Sequence, residues 1–266
     1  MIPTFTALGA GPTVVMLHGI GGNHRAFAPQ VEALAQAGYR AVAWNMPGYG
    51  DSAPIDPYTF KGLAHSCIAL IEALMAGQDD PSVTLLGHSM GGMVAQEVVA
   101  RRPDLVSHLI LAGTSAAFGR TSGGQVATQW QHDFVTQRTA PLDAGQSMAD
   151  VANTLVPQMT GPGALPAGVA LAISCMGEGS PVTYRSALQA LVTFDRSANL
   201  PHISVPTLLV AGEFDKSASP AVMKKMAKAI PQGIYRELAS IGHLLNLEAP
   251  DEFDGVVLDF LAATRK

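Results

Sequence analysis

Short apolar runs rich in β-branched residues alternate with longer segments of helical period, and this alternation constrains the fold more than any other feature of the chain. The strand-like runs are Thr13 to Leu17, Ala41 to Asn45, Val83 to Leu86, Leu109 to Ala112, Thr207 to Ala211 and Gly233 to Leu238. Runs of this length without polar alternation fit strands buried on both faces. Between them, Phe27 to Ala37, Tyr58 to Ala76, Met90 to Arg101 and Pro220 to Ile230 space apolar residues at three and four, and Glu252 to Thr264 closes the chain similarly. The pattern predicts an α/β fold with a mostly parallel central sheet flanked by helices. Ile2 to Leu8 offers one further short strand, at an edge.

The alternation stops from about Ala116 to Asn199, where Gly, Pro, Gln and Ser are frequent. Here Gln125 to Arg138, Gly145 to Val156, Ala167 to Met176 and Pro181 to Phe194 read as short helices. The expected organisation is a core domain of residues 1–115 and 200–266, with residues 116–199 inserted as a helical cap over the sheet. With 48% hydrophobic and 14% charged residues in 266, the chain has ample material for a core and too few charges for disorder.

Charge narrows the partners. The 16 Lys and Arg against 21 Asp and Glu give a net charge of −5, and basic residues never run longer than two, which argues against nucleic-acid and anionic-membrane binding. Cys67 and Cys175 match no metal-ligand or redox spacing, so neither a structural metal nor a disulfide scaffold is expected. The N-terminus, Met1-Ile2-Pro3-Thr4, shows no secretory pattern, and the expected compartment is the cytoplasm. The long uncharged stretch from Val151 to Gly177 is broken by Pro157, Gly161, Pro162, Gly163 and Pro166, so no single membrane-spanning helix is expected there.

Chemistry concentrates first at Gly87-His88-Ser89-Met90-Gly91-Gly92, between the strand-like run Val83 to Leu86 and a helical segment. This is the G-x-S-x-G pattern of a nucleophile elbow. A strand that turns abruptly into a helix holds its central side chain above the sheet, and Gly87 and Gly91 leave room for the two elements to pass. The helix N-terminus behind Ser89 favours developing negative charge. Downstream, Thr207 to Ala211 runs into Gly212-Glu213-Phe214-Asp215, and Ser240-Ile241-Gly242-His243 follows the last strand-like run.

On these motifs the chain resembles the α/β-hydrolase family over nearly its whole length, with esterase- and lactonase-like members carrying a helical cap. In that family the chain order is nucleophile, acid, histidine. The resemblance implies Ser89 as nucleophile, His243 as general base and Asp215 as the acid that orients the imidazole, 126 residues after Ser89 and 28 before His243. Glu213 is the competing acid, and the family's G-x-x-D turn favours Asp215. The loop His18-Gly19-Ile20-Gly21-Gly22 resembles the family's oxyanion loop. By that match, the backbone N–H groups of Ile20 and Met90 form the oxyanion hole, with Gly21 an alternative donor.

The remaining motifs read as structural. His18 and His88 fit buried bracing roles better than reactive ones, and Asn45-Met46-Pro47-Gly48-Tyr49-Gly50-Asp51-Ser52 reads as a tight turn. His24, His65, His108, His132 and His202 carry no distinguishing pattern, and the glycines after His18 lack the spacing of a nucleotide fingerprint.

A serine at the elbow points to acyl chemistry rather than the alkyl-ester chemistry of relatives with an aspartate there. The expected activity is hydrolysis of a small to medium carboxylic ester or lactone, uncharged, through an acyl-serine intermediate and with no cofactor. Carbon–carbon bond hydrolysis of β-diketone type is the nearest rival, but those relatives commonly carry Asn before the serine and a basic residue near the substrate carboxylate. Here His88 precedes Ser89, and Arg101, Arg102, Arg120, Arg138, Arg185 and Arg196 have no assigned position relative to the pocket. A cofactor-free perhydrolase or haloperoxidase-like enzyme would share the same triad, and a non-catalytic receptor is the least favoured reading. Met148, Met159, Met176, Leu155, Leu165, Leu171, Trp130 and Phe134 fit either a pocket lining or the core of the cap. Oligomeric state is not encoded in any of these features.

Overall fold

The computed structural model describes residues 1–119, 121–122, 125–126 and 128–264. In chain order the elements are β1 (Phe5–Leu8), β2 (Thr13–Leu17), α1 (Ala28–Gln36), β3 (Arg40–Trp44), α2 (Phe60–Leu74), β4 (Val83–His88), α3 (Met90–Arg101) and β5 (Val106–Ala112). A helical segment follows, with a two-residue hairpin pair β6 (Thr121–Ser122) and β7 (Gln125–Val126), then α4 (Thr128–Asp143), α5 (Met148–Met159), α6 (Pro166–Gly177) and α7 (Pro181–Leu191). The chain ends with β8 (Thr207–Gly212), α8 (Pro220–Ala229), β9 (Gly233–Leu238), α9 (Leu245–Glu248) and α10 (Pro250–Ala263).

Among the described residues, seven strands form one sheet in the order β1-β3-β2-β4-β5-β8-β9, parallel throughout except for the antiparallel pair of β1 with β3. Alternate side chains of the buried strands feed two different layers. Val15, Leu17, Val42 and Trp44 pack with α2, α3 and α8 on one face, whereas Val14, Met16, Ala41 and Ala43 meet Phe27, Val31 and Leu34 beside α1 and Phe253, Val257 and Phe260 of α10 on the other. That two-sided burial is why β2, β4 and β8 read as unbroken apolar runs. The edge strand β9 alternates instead, with its exposed residues facing water.

Several boundaries move from the expected ones for local reasons. β4 continues to His88, because Gly87 and His88 pair with Leu111 and Ala112 of β5 and carry the sheet to the residue before Ser89. β5 starts at Val106, with Ser107 and His108 extending the expected run. α2 starts at Phe60, where the Thr59 hydroxyl accepts the Gly62 N–H as an N-cap. α5 starts at Met148 rather than Gly145: Ser147 and Asp150 form a reciprocal capping box, and Gly145 turns the chain at φ 86°. The helix expected from Gln125 to Arg138 begins at Thr128, since Gln125 and Val126 pair with Thr121 and Ser122, and it runs past Pro141 to Asp143. α7 ends at Leu191, short of the expected Phe194, as the chain turns to pair Ala117 with Asp195.

The helical segment has its own apolar cluster, Met148, Val151, Ala152, Val156, Ala172, Met176, Tyr184 and Leu188, completed by Leu247 of α9. Its two ends meet beside the sheet: the Phe118 N–H donates to the Phe194 carbonyl at 2.9 Å and the Arg196 N–H to Ala116 at 2.7 Å. The Arg196 guanidinium then closes on Glu97 of α3. Cys67 and Cys175 are both buried free thiols. Among the described residues, no helix is long and apolar enough to cross a membrane.

Candidate active site

Ser89 sits between the last residue of β4 and the first of α3 with φ 53° and ψ −121°, a left-handed backbone conformation that costs energy for any residue but glycine. The surroundings enforce it. The Ser89 N–H donates to the Ala112 carbonyl at 2.9 Å, and its carbonyl accepts from the Thr114 hydroxyl at 2.7 Å and from the N–H groups of Gly92 and Met93. The flanking glycines are steric requirements: a Cβ on Gly87 would lie 2.5 Å from the Gly91 carbonyl oxygen, and one on Gly91 would lie 2.0 Å from that of Leu17. The turn lifts the hydroxyl of Ser89 off the sheet and into a cavity.

The structure brings all three expected side chains together. The Ser89 Oγ lies 3.0 Å from His243 Nε2, and His243 Nδ1 lies 2.8 Å from Asp215 Oδ2. A carboxylate can only accept, so the Nδ1–H donates to Asp215 and leaves the Nε2 lone pair facing the Ser89 hydroxyl. The second oxygen of Asp215 accepts the N–H groups of Ser217 and Ala218 at 2.7 and 2.9 Å. Burial works to raise this carboxyl's pKa, but the His243 imidazole and these hydrogen bonds outweigh it, so the group lies below the usual aspartate range. Glu213, the competing acid, instead accepts the Ser240 N–H at 2.8 Å from an exposed position and shapes the turn before His243.

His243 is held from both sides by a residue that the sequence reading missed. Glu248, 1% exposed, accepts the Gly242 N–H at 2.7 Å and the Leu244 N–H at 2.8 Å, the two amides that flank His243. The same carboxylate takes the Gly161 N–H at 2.7 Å, and the His243 N–H donates to the Met159 carbonyl at 2.7 Å. The end of α5 and the histidine loop are therefore stitched through one buried acid. Its sequence signal is a lone carboxylate within His243-Leu244-Leu245-Asn246-Leu247-Glu248-Ala249, where no cation is near enough in sequence to pair with it.

The expected oxyanion loop packs directly on Ser89, since a Cβ on Gly19 would stand 2.8 Å from the Ser89 Cβ. His18 braces it as a neutral ring: its Nδ1–H donates to the Gly19 carbonyl at 2.8 Å, and its Nε2 accepts the Met46 N–H at 3.0 Å. Burial drives the His18 pKa down to about 4. His88 is likewise a bracing residue, with its Nε2–H donating to the His243 carbonyl at 2.8 Å and its pKa lowered to about 3 by burial and then by His243. Asn45 accepts the His24 N–H and donates to the Thr4 hydroxyl, which makes its stretch a structural junction.

The cavity over Ser89 has a volume of about 640 Å³. Of the residues expected to line it, Trp130, Phe134, Leu155, Met159 and Met176 do so, as does Arg138. Met148 is instead buried in the helical segment's own cluster, Leu171 packs against that cluster, and Leu165 is exposed. Arg120 lies outside the described residues.

Residues 12–250 match the family model for the alpha/beta hydrolase fold. The chain belongs to this family. Among curated relatives it is 29% identical over 265 residues to the polyketide synthase ThaQ of Burkholderia thailandensis, covering 96% of this chain but spanning only 12% of that protein. It is 27% identical to 3-oxoadipate enol-lactonase 2 of Acinetobacter baylyi, over 92% of this chain and 87% of the relative. Among solved structures, the enol-lactonase from Burkholderia xenovorans LB400 superposes with a TM-score of 0.83 at 25% identity, covering 97% of this chain and 96% of that one. Membership of this family and the full-length enol-lactonase relatives support a hydrolase.

Proposed function

We propose that the chain is a serine hydrolase that cleaves a small to medium carboxylic ester or lactone, with Ser89 as nucleophile, His243 as general base and Asp215 as its orienting acid. The observation that carries this reading is the continuous hydrogen-bonded chain from the Ser89 hydroxyl through His243 to Asp215. Ser89 Oγ attacks the carbonyl carbon while its proton passes to His243 Nε2, and the imidazolium so formed is stabilised by Asp215. Collapse of the tetrahedral intermediate breaks the bond to the alkoxy oxygen, which takes the proton from His243. Water then attacks the acyl-serine by the same route in reverse, releasing the acid.

The negative oxygen of the intermediate faces the N–H groups of Ile20 and Met90. Two features support those donors. The Gly19 carbonyl is turned away by its hydrogen bonds from His18 and Gly22, and in a trans peptide the Ile20 N–H then points in the opposite sense. Met90, at the first position of α3, has no acceptor within the helix for its N–H. Residues 116–199 serve as the cap that completes the cavity and limits access of water.

The test is hydrolysis of a panel of aryl esters, lactones, thioesters and β-diketones by wild type and Ser89→Ala. Ester or lactone turnover that falls by about a thousandfold or more in a folded variant is the expected result. Retention of more than about a hundredth of the activity contradicts the assignment, and turnover confined to β-diketones favours the carbon–carbon reading.

A further inference from the structure

Resting on the hydrolase reading, we propose that the cap wall of the cavity is a carboxylate subsite built from Arg138 and Tyr184, and that the substrates are esters or lactones bearing an anionic carboxylate away from the bond that is cleaved.

The other described arginines are spoken for. Among the described arginines, Arg25 pairs with Glu178, Arg101 and Arg196 with Glu97, Arg102 with Glu72 and Asp104, and Arg185 with Asp143. Arg40 and Arg236 donate to the carbonyls of Leu74 and Tyr235. Arg138 has neither kind of partner among the described residues. Its guanidinium lies 5.4 Å from the Phe134 ring centroid, half-buried and lining the same cavity as Ser89 and His243. An arginine fork held against an aromatic face with its donors unused is prepared for a planar, bidentate acceptor.

Tyr184 adds an independent polar group. It is 2% exposed and lines the cavity, and no side chain or backbone group among the described residues hydrogen-bonds its hydroxyl. With the ring buried and the hydroxyl open to the cavity, the phenol is a donor available to a ligand. Arg138 on α4 and Tyr184 on α7 sit on helices that pack together, and both line the same cavity. Among the described residues, no Asp or Glu lines the cavity, and the exposed Lys216 does. A carboxylate entering here meets positive charge, two donors and no repelling acid. The proposal differs from the uncharged ester expected from the apolar cap residues, which line the same cavity.

The test compares matched aryl esters, the 4-nitrophenyl monoester of glutaric acid and 4-nitrophenyl valerate, in wild type, Arg138→Gln, Arg138→Lys and Tyr184→Phe. The anionic ester is expected to show the higher kcat/KM in wild type, by about tenfold. In Arg138→Gln the ratio of anionic to neutral kcat/KM falls by about tenfold, mainly through KM, with partial recovery in Arg138→Lys. An unchanged ratio, or wild-type preference for valerate, overturns the proposal. Binding of glutarate to the Ser89→Ala protein, followed by calorimetry, reads the subsite without turnover. Glutarate binding that is lost in the additional Arg138→Gln change supports the subsite even if the hydrolase reading fails, and absence of glutarate binding by the otherwise intact protein sinks it.

Discussion

Gly91 illustrates how single residues hold the elbow. A methyl group there would stand 2.0 Å from the Leu17 carbonyl oxygen, a backbone atom of a central strand that cannot yield. Gly91→Ala is therefore expected to prevent correct folding or to cost about 3 kcal/mol or more, measured by chemical denaturation; a fully stable, active variant would contradict the packing described. At this scale the sequence was most informative for groups whose chemistry requires a fixed local pattern. Ser89 announces itself by its glycines, and Asp215 and His243 by their turns at the ends of strands. Glu248 and Thr114 escaped because their partners are backbone groups distant in sequence, and no residue type or spacing marks such a bond. Arg138 escaped for the converse reason: its meaning lies in the partner it lacks.

Among elements, the short helix α9 and the end of α5 are joined to the histidine loop through Glu248. Replacing that carboxylate with an amide keeps the shape but puts N–H groups against N–H groups, leaving at least one buried donor unpaired. Glu248→Gln is expected to lose about 2–4 kcal/mol of stability and to lower kcat in the folded protein, because at least one of the two amides beside His243 loses its anchor. Glu213→Gln, at an exposed turn, is expected to change stability by less than about 1 kcal/mol. Equal effects of the two substitutions in denaturation and steady-state kinetics would show that Glu248 does not position the loop. Strands and flanking helices were legible because burial on two faces leaves unbroken apolar runs, as in β2 and β8. The helical segment was legible only in outline. Its boundaries depend on a capping box at Ser147 and on pairing of Gln125 and Val126, both local choices that apolar periodicity does not encode.

For the molecule as a whole, two buried neutral histidines govern the acid side of stability. Burial holds His18 near 4 and His88 near 3, both below the value of about 6.5 in an unfolded chain. The unfolded state thus binds more protons as the pH drops, and the stability fully present above pH 6.5 is lost through the range below it. Asp254, which burial raises to about 6, acts in the opposite direction below that pH by favouring the folded state. The expected net slope is about 1.4 kcal/mol per pH unit between pH 6 and 4, the worth of one histidine, and shallower above pH 6, where the unfolded-state histidines are only partly protonated. Denaturation midpoints that stay level from pH 7 to 5 would contradict this account. The central claim, that the fold gathers Ser89, His243 and Asp215 to make one alcohol reactive, is tested most directly by intact-mass analysis after treatment with a fluorophosphonate. The account predicts a single adduct on Ser89 in the wild type, a rate reduced by orders of magnitude in His243→Ala, and none in Ser89→Ala. A folded wild type left unmodified, or modified equally fast without His243, would contradict it.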